Sequence, residues 1–281
     1  MKVSAKNIVL AFFLLLTAVP LSAGLVYALL YSLGLTGILN KGFTLAHWQK
    51  LLLGGEFWRS LGFSVWVAVM TLAISVALAL TAVLHWRRSF EGRFLSFLIY
   101  LPLVFPAMVV GFYTFQMLAK SGVLSRVSYQ LGWIDNLNQF PDWINDNWGI
   151  GIIAAHTFMA TPFLIILFSN LYQNERLDAF VKLAETLGAS QKQIVWRVTM
   201  PVLLNRAFAT LVLYFIFVMS AYEIPLLLGS QSREMISVLT IRKLQRFNLN
   251  DIPQAYAISV LYGGMLILLV TKLLYKNKIA N

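Results

Sequence analysis

Residues 175–206 read ERLDAFVKLAETLGASQKQIVWRVTMPVLLNR, a hydrophilic interruption between two apolar stretches, and its pattern decides what kind of molecule this is. A polar loop of that length has no structure of its own unless helix signals run through it, and here they do. Asp178 is placed to cap a first helix. Leu177, Phe180, Val181, Ala184 and Leu187 then recur at helical spacing on one face, with Asp178, Lys182 and Glu185 opposite. Gly188 supplies the stop. Ser190-Gln191-Lys192-Gln193 is a capping-box pattern that opens a second helix, in which Ile194, Val195 and Val198 pack back, and Pro201 marks the next disturbance of regular geometry. The spacing predicts two short helices at a sharp angle, forming a docking knob.

Outward from this loop the chain is strongly apolar. With 281 residues and 59% hydrophobic content it is too apolar for a soluble domain. Apolar windows fall at about Ile8 to Tyr31, Phe63 to Leu84, Leu95 to Ala119, Ile150 to Leu171, Phe208 to Leu228 and Ala255 to Leu274. Each is near the ~20 residues a membrane-crossing helix needs. The expected fold class is an all-α membrane protein of six transmembrane helices with a cytoplasmic helical coupling loop. Six spans put both termini on one side. That side carries 13 of the 22 Lys and Arg residues, which favours termini in the cytoplasm. The start, with Lys2, Lys6 and an apolar run, mimics a signal peptide. Apolar character continues through Val19 to Leu30 past Ser22, Ala23 and Gly24, so it reads as a retained first span.

The formal charge of +11 does not point to nucleic acid, because the basic residues flank spans and no aromatic platform interleaves them. Zero cysteine excludes disulfides, thiolate metal sites and thiol nucleophiles. The chain has no G-x-x-x-x-G-K-[ST], and His47, His85 and His156 lie at no metal-ligand spacing. The expectation is a protein that is not an enzyme and holds no cofactor or metal of its own.

A few polar residues within the apolar windows are candidates for a solute pathway or gate. Glu223, in FVMSAYEIPLLLG at 217–229, has two readings. It lines a cavity or interface with Ser220 and Tyr222, beside a kink at Pro225, or the span ends earlier and Glu223 reaches the outer surface. Tyr113 and Gln116 follow Pro102 and Pro106 in the third span, where bends would shape a cavity, and His156 sits on a polar, bent stripe of the fourth with Thr157, Thr161 and Pro162. Gln116 also reads as an interhelical hydrogen-bond donor, and His156 as a histidine satisfied by a neighbouring carbonyl. Gly263 and Gly264 in the last span read as a point of close helix approach. Outside the spans, a short surface helix is expected between Ser32 and Trp58, and helical character around Met235 to Phe247. Trp133 and Trp143 in the loop Lys120 to Asn147, and Trp148 just after it, read as headgroup-belt tryptophans rather than ligand contacts.

The spacing of Ala184, Gly188, Val198, Met200 and Pro201 resembles the EAA loop of the membrane-spanning subunits of binding-protein-dependent (type I) ABC importers. The chain departs from that pattern at Lys182 and Leu183, and conservatively at Val198 and Met200. LPLVFPAMVVG at 101–111 is also similar to such permeases, and with EIPLLLG resembles the polyamine, ferric iron and thiamine group. The resemblance runs from about Phe57 to the C-terminus. It implies an N-terminal span and outer loop at 1–56 and a five-helix permease core at 57–281, with the coupling loop at about 172–206. It further implies that Phe180, Lys182, Leu183, Ala184, Glu185, Gly188, Ala189 and Ser190 dock on an ATPase subunit, which binds ATP and Mg. The partners implied are two ATPase subunits, a second permease subunit, the same or different, an external solute-binding protein that meets the outer face, and the bilayer of a prokaryotic inner membrane.

Two other classes remain open, a secondary transporter or channel subunit without an ATPase, and a membrane-embedded enzyme or scaffold. The first is expected to show corresponding broken helices in two halves, and no such symmetry is visible in the sequence. An amphipathic helix lying on the lipid surface would need neither the Gly188 stop nor the second capped helix.

Overall fold

In a bilayer a backbone has no partner but itself, so long runs of Leu, Val, Ala and Phe fold as helices. The computed structural model describes residues 5–38, 40 and 42–280, and those residues form helices and their connecting loops, with no strand among them. In chain order the helices are α1 (Ala5–Ser32), α2 (Ala46–Leu53), α3 (Glu56–Trp86), α4 (Arg93–Val104) and α5 (Ala107–Leu118). There follow α6 (Val123–Gln130), α7 (Ile150–Asn174), α8 (Leu177–Thr186), α9 (Gln191–Ile194) and α10 (Met200–Met219). The chain ends with α11 (Glu223–Leu228), α12 (Ile236–Gln245) and α13 (Ile252–Ala280). Among the described residues six helices are long and apolar enough to cross a membrane: Phe12–Ser32, Glu56–Trp86, Ala107–Gln130, Ile150–Asn174, Gln191–Met219 and Leu249–Leu273. The short helices expected after the first span and near Met235 are α2 and α12.

Two expected spans are broken. The third is not one helix from Leu95 to Ala119, because α4 ends at Val104 and Phe105 is extended, with ψ 129°. A residue before proline is driven out of the helical region, and Pro106 starts α5 afresh. The membrane-length segment is then α5 with α6, so the apolar run reaches into what the sequence marked as an outer loop. The fifth expected span, Phe208 to Leu228, is interrupted at residues 220–222, before Pro225 rather than at it. Its helix instead extends backward. Residues 195–199 form one π turn that joins α9 to α10, so the second helix of the elbow is not a separate short piece. Pro201 has no N–H for the carbonyl of Arg197, and a widened turn just ahead of it accommodates that loss.

Contacts divide the chain into two units, residues 1–60 with 237–281, and residues 61–236. By these contacts the last span groups with the first. In that unit Tyr31 and Tyr256 bring α1 and α13 together at 4.5 Å between ring centroids. Glu56 receives Arg242 at 2.7 Å and the buried Lys243 at 2.8 Å. Gly263 and Gly264 face open space among the described residues rather than a close helix contact.

The second unit holds the candidate site. Its buried cluster joins Ala79, Leu80 and Val83 of α3, Leu164, Phe168 and Tyr172 of α7, Leu177 of α8, and Leu203 and Ala207 of α10. Above it, α11 lies on α5, where a side chain on Gly111 would meet Leu227 Cδ1 at 3.1 Å and Ile224 Cα at 3.7 Å. Gly111→Val is expected to push α11 off α5 and cost on the order of 1–3 kcal/mol, read as a lower unfolding midpoint in detergent. Gly263→Ala, which meets open space within a helix, is expected to hold or raise that midpoint.

Candidate functional site

The elbow between α7 and α10 is built from local rules. α8 closes with a Schellman motif: the Gly188 amide donates to the Glu185 carbonyl at 2.9 Å and the Ala189 amide to the Ala184 carbonyl at 3.0 Å. Gly188 holds φ at +81°, which favours glycine. Two residues later Ser190 caps α9 in a complete capping box. Its amide donates to Gln193 Oε1 at 2.8 Å, and the Gln193 amide donates to Ser190 Oγ at 3.4 Å. Gln191 Nε2 donates across the bend to Glu185 Oε1 at 3.0 Å. Every turn of the chain from Thr186 to Gln193 is therefore fixed by its own hydrogen bonds.

The elbow is also tied to the helices behind it. Leu177 is fully buried in the cluster of α3, α7 and α10. Arg87, just past the end of α3, forms an ion pair with Asp178, and its guanidinium lies 3.8 Å from the centre of the Tyr172 ring. Burial works against the charge on Arg87, and Tyr172 and Asp178 outweigh it and hold the guanidinium above its ordinary value. Glu175 pairs with Arg206 at 2.9 Å, linking the end of α7 to the start of α10. Asp178 is thus not the helix cap that the sequence assigned. The N-cap position is Arg176, with φ 49°, and Asp178 in the first turn serves α3 instead.

The face that α8 turns outward differs from the expected one. Leu177 packs inward with Val181 and Ala184 half-buried, while Phe180, Leu183 and Leu187 are exposed by 53%, 58% and 80%. The sequence placed Phe180 and Leu187 on the packed face, because both stripes recur at helical spacing. With Lys182, Glu185, Gly188 and Ser190 exposed and Ala189 half-buried, the residues assigned to docking form one surface around an uncovered apolar stripe.

A second feature lies at the far end of α10. There the chain leaves helix at residues 220–222, and α11 starts at Glu223. His156 of α7, Ser220, Tyr222 and Glu223 line one cavity of about 600 Å³ with Met159, Leu213 and Phe217. Tyr113 and Gln116 are not among its lining; both are exposed on another face of α5, away from the face that Gly111 presents to α11. His156 is 2% exposed, yet neither ring nitrogen has a hydrogen-bond partner, so it is not satisfied by a neighbouring carbonyl. Trp133 in the expected loop and Trp148 just after it are exposed, while Trp143 packs on Phe140 at 5.1 Å.

Residues 75–277 match the family model described as "Binding-protein-dependent transport system inner membrane component". The chain is 29% identical over 259 residues to a probable ABC transporter permease protein of Sinorhizobium fredii, covering 89% of this chain and 41% of that protein. It is 26% identical over 224 residues to the thiamine transport system permease protein ThiP of Brucella abortus, covering 77% and 39%. To the molybdenum transport system permease protein ModB of Haemophilus influenzae it is 27% identical over 161 residues, covering 56% and 65%. The chain thus spans about two-fifths of the length of the first two of these relatives. Among solved structures, a chain of a bacterial alginate ABC transporter, in complex with an alginate-pentasaccharide-bound periplasmic protein, superposes with a TM-score of 0.72. That match has 16% identity and covers 95% of this chain and 92% of that one, a likeness of fold.

Removal of the cap tests whether the elbow is set locally. Ser190→Ala is expected to cost about 1 kcal/mol, seen as faster amide hydrogen exchange confined to residues 190–195 while α7 and α10 keep their protection.

Proposed function

Because this chain belongs to the binding-protein-dependent transport system inner membrane components, we propose that it forms half of the solute pathway of an ABC importer and couples a separate ATPase to uptake. The observation that carries this is the uncovered stripe of Phe180, Leu183 and Leu187 on an elbow whose other sides are fixed by hydrogen bonds, ion pairs and burial. A rigid element that leaves large apolar side chains in water is what a partner groove recognises. The partner is an ATPase subunit that supplies ATP and Mg, present in two copies, one for each of two permease subunits. An external solute-binding protein delivers the solute to the face that carries Trp133 and Trp148. The termini and the elbow lie in the cytoplasm of a prokaryotic cell.

ATP-driven closure of the motor draws the two docked elbows together. Because the elbow continues without a break into α10, its displacement reaches the cavity at residues 220–223, which changes the side it faces. His156, Ser220, Tyr222 and Glu223 then act as pathway or gate residues. Tyr113 and Gln116 act from the exposed face of α5. The relatives carry thiamine and molybdenum, so the family alone leaves the solute open.

Two variants test the docking face. Gly188→Asp meets no atom within 4 Å of its new Cβ, so its cost to folding is the left-handed backbone alone, on the order of 1 kcal/mol. It is expected to insert normally and to abolish ATP-dependent uptake. Leu183→Asp is expected to abolish copurification of the ATPase while the chain stays in the membrane. Full uptake by either variant would refute the docking assignment. Uptake by the purified chain alone, driven by an ion gradient, would favour the secondary transporter.

A further inference from the structure

On the elbow's side of the molecule, between α4 and α7, a polar pocket of about 150 Å³ is lined by Arg87, Ser96, Tyr100, Asn170 and Gln173. α3 ends at Trp86 and α7 at Asn174, so the pocket lies where helices of this length leave hydrocarbon for headgroups. Among the described residues no acidic side chain lines it. Arg87 brings the positive charge. One of its nitrogens donates to Asp178, which is not part of the wall, and the guanidinium has further N–H donors while its side chain is still 20% exposed. Tyr100, Asn170 and Gln173 are exposed and hold no side-chain partner among the described residues. Two wall residues, Ile99 and Ile165, are shared with a larger apolar groove of about 920 Å³ between α3, α4 and α7. On α7 that groove runs from Ile150 to Ile165, about 22 Å at the usual rise, and its far end lies against Trp66 and Trp148.

We propose that pocket and groove together hold one anionic glycerophospholipid of the leaflet on the elbow's side, its phosphate in the pocket and an acyl chain along the groove. The phosphate oxygens accept from the remaining Arg87 N–H groups, from the amides of Asn170 and Gln173 and from the Tyr100 hydroxyl. Basic pockets between membrane helices select acidic headgroups in this way. The ammonium of a zwitterionic lipid would meet Arg87 and find no carboxylate on the wall. What the groove leads to decides its occupant. A helix of another subunit would cover the apolar residues and bring nothing for Arg87, and a free phosphate would fill the pocket and leave the groove bare. A lipid satisfies both. Half of the ~30 Å hydrocarbon core is about ten residues of helix, which carries the tail from the pocket past Ile165 and Pro162. Because Arg87 also pairs with Asp178, the bound lipid braces α4 against α7 beside the point where α8 is held. The site stands on these residues alone and does not depend on what docks on the elbow.

The test uses the full chain in detergent, with native mass spectrometry of retained lipid and the probes dioleoylphosphatidylglycerol, dioleoylphosphatidylethanolamine and glycerol 3-phosphate. One phosphatidylglycerol per chain is expected, held at least ~10-fold more tightly than phosphatidylethanolamine, or about 1.4 kcal/mol. Glycerol 3-phosphate, a headgroup without tails, is expected to bind at least ~10-fold more weakly again. Arg87→Gln is expected to lose at least ~10-fold in phosphatidylglycerol affinity, and so is the pair Asn170→Leu with Gln173→Leu, which leaves the ion pair to α8 in place. Asp178→Asn breaks that ion pair without touching the pocket and is expected to hold phosphatidylglycerol at least as tightly as the unaltered chain. A photo-crosslinking benzoylphenylalanine in place of Leu98, on the groove wall, is expected to mark lipid. Helix content and a single elution peak show that each variant is folded. The proposal is overturned if the two lipids bind alike, if glycerol 3-phosphate binds as well as phosphatidylglycerol, if Asp178→Asn loses lipid as Arg87→Gln does, or if the crosslink joins a second protein chain instead. Copurification of an ATPase is scored separately. Its absence with lipid binding intact sinks the docking assignment alone, and its presence with failed lipid binding sinks this proposal alone.

Discussion

The arrangement depends above all on one tethering point, the start of α8. Leu177 is buried among α3, α7 and α10, and one residue on, Asp178 reaches Arg87 at the end of α3. The ion pair by itself contributes little, since Asp178 is largely exposed and such pairs contribute about 0–1 kcal/mol. The larger contribution is Leu177, whose full burial is worth roughly 1.5–3 kcal/mol against an exposed position. Arg87 adds direction rather than strength. Lying over the Tyr172 ring while it pairs with Asp178, it holds the first turn of α8 against the end of α3.

How much of this was legible in the sequence follows the range of each interaction. The Schellman turn at Gly188 and the capping box at Ser190 are complete within six or fewer residues, and the local pattern states them outright. Asp178 was misread because its partner lies 91 residues away, while an acid near a helix start reads as a cap in any sequence. Phe180 and Leu187 were misread for a different reason. Apolar periodicity reports that a stripe is meant to be covered, and is silent on whether its own chain or another covers it. The elements that break the spans divide in the same way. Pro106 announces itself, but the interruption at residues 220–222 carries no proline or glycine; Pro225, the residue that drew attention, sits harmlessly in the first turn of α11.

The candidate pathway residues show what helical spacing cannot supply. His156 and Glu223 are 67 positions apart in the sequence, yet α7 and the broken end of α10 bring them to one cavity, while Tyr113 and Gln116, nearer in kind to pathway residues, face elsewhere. The tight contact of α11 on Gly111 explains this. It turns α5 so that Gly111 meets α11, and residues two and five positions on are carried to another side.

Between the tether and the cavity stands one nearly unbroken helix. Gln191–Met219 is 29 residues, or roughly 43 Å at the usual rise, which is long enough to carry a displacement across the bilayer. Its one irregularity, the π turn at residues 195–199, lies at the end next to the elbow, where Ile194 and Thr199 are both buried. A widened turn that is packed on its sides does not act as a free hinge, and the break in the helix lies at the other end, at residues 220–222. In the coupling proposed above, a push applied at α8 travels along α10 to the interruption beside Glu223.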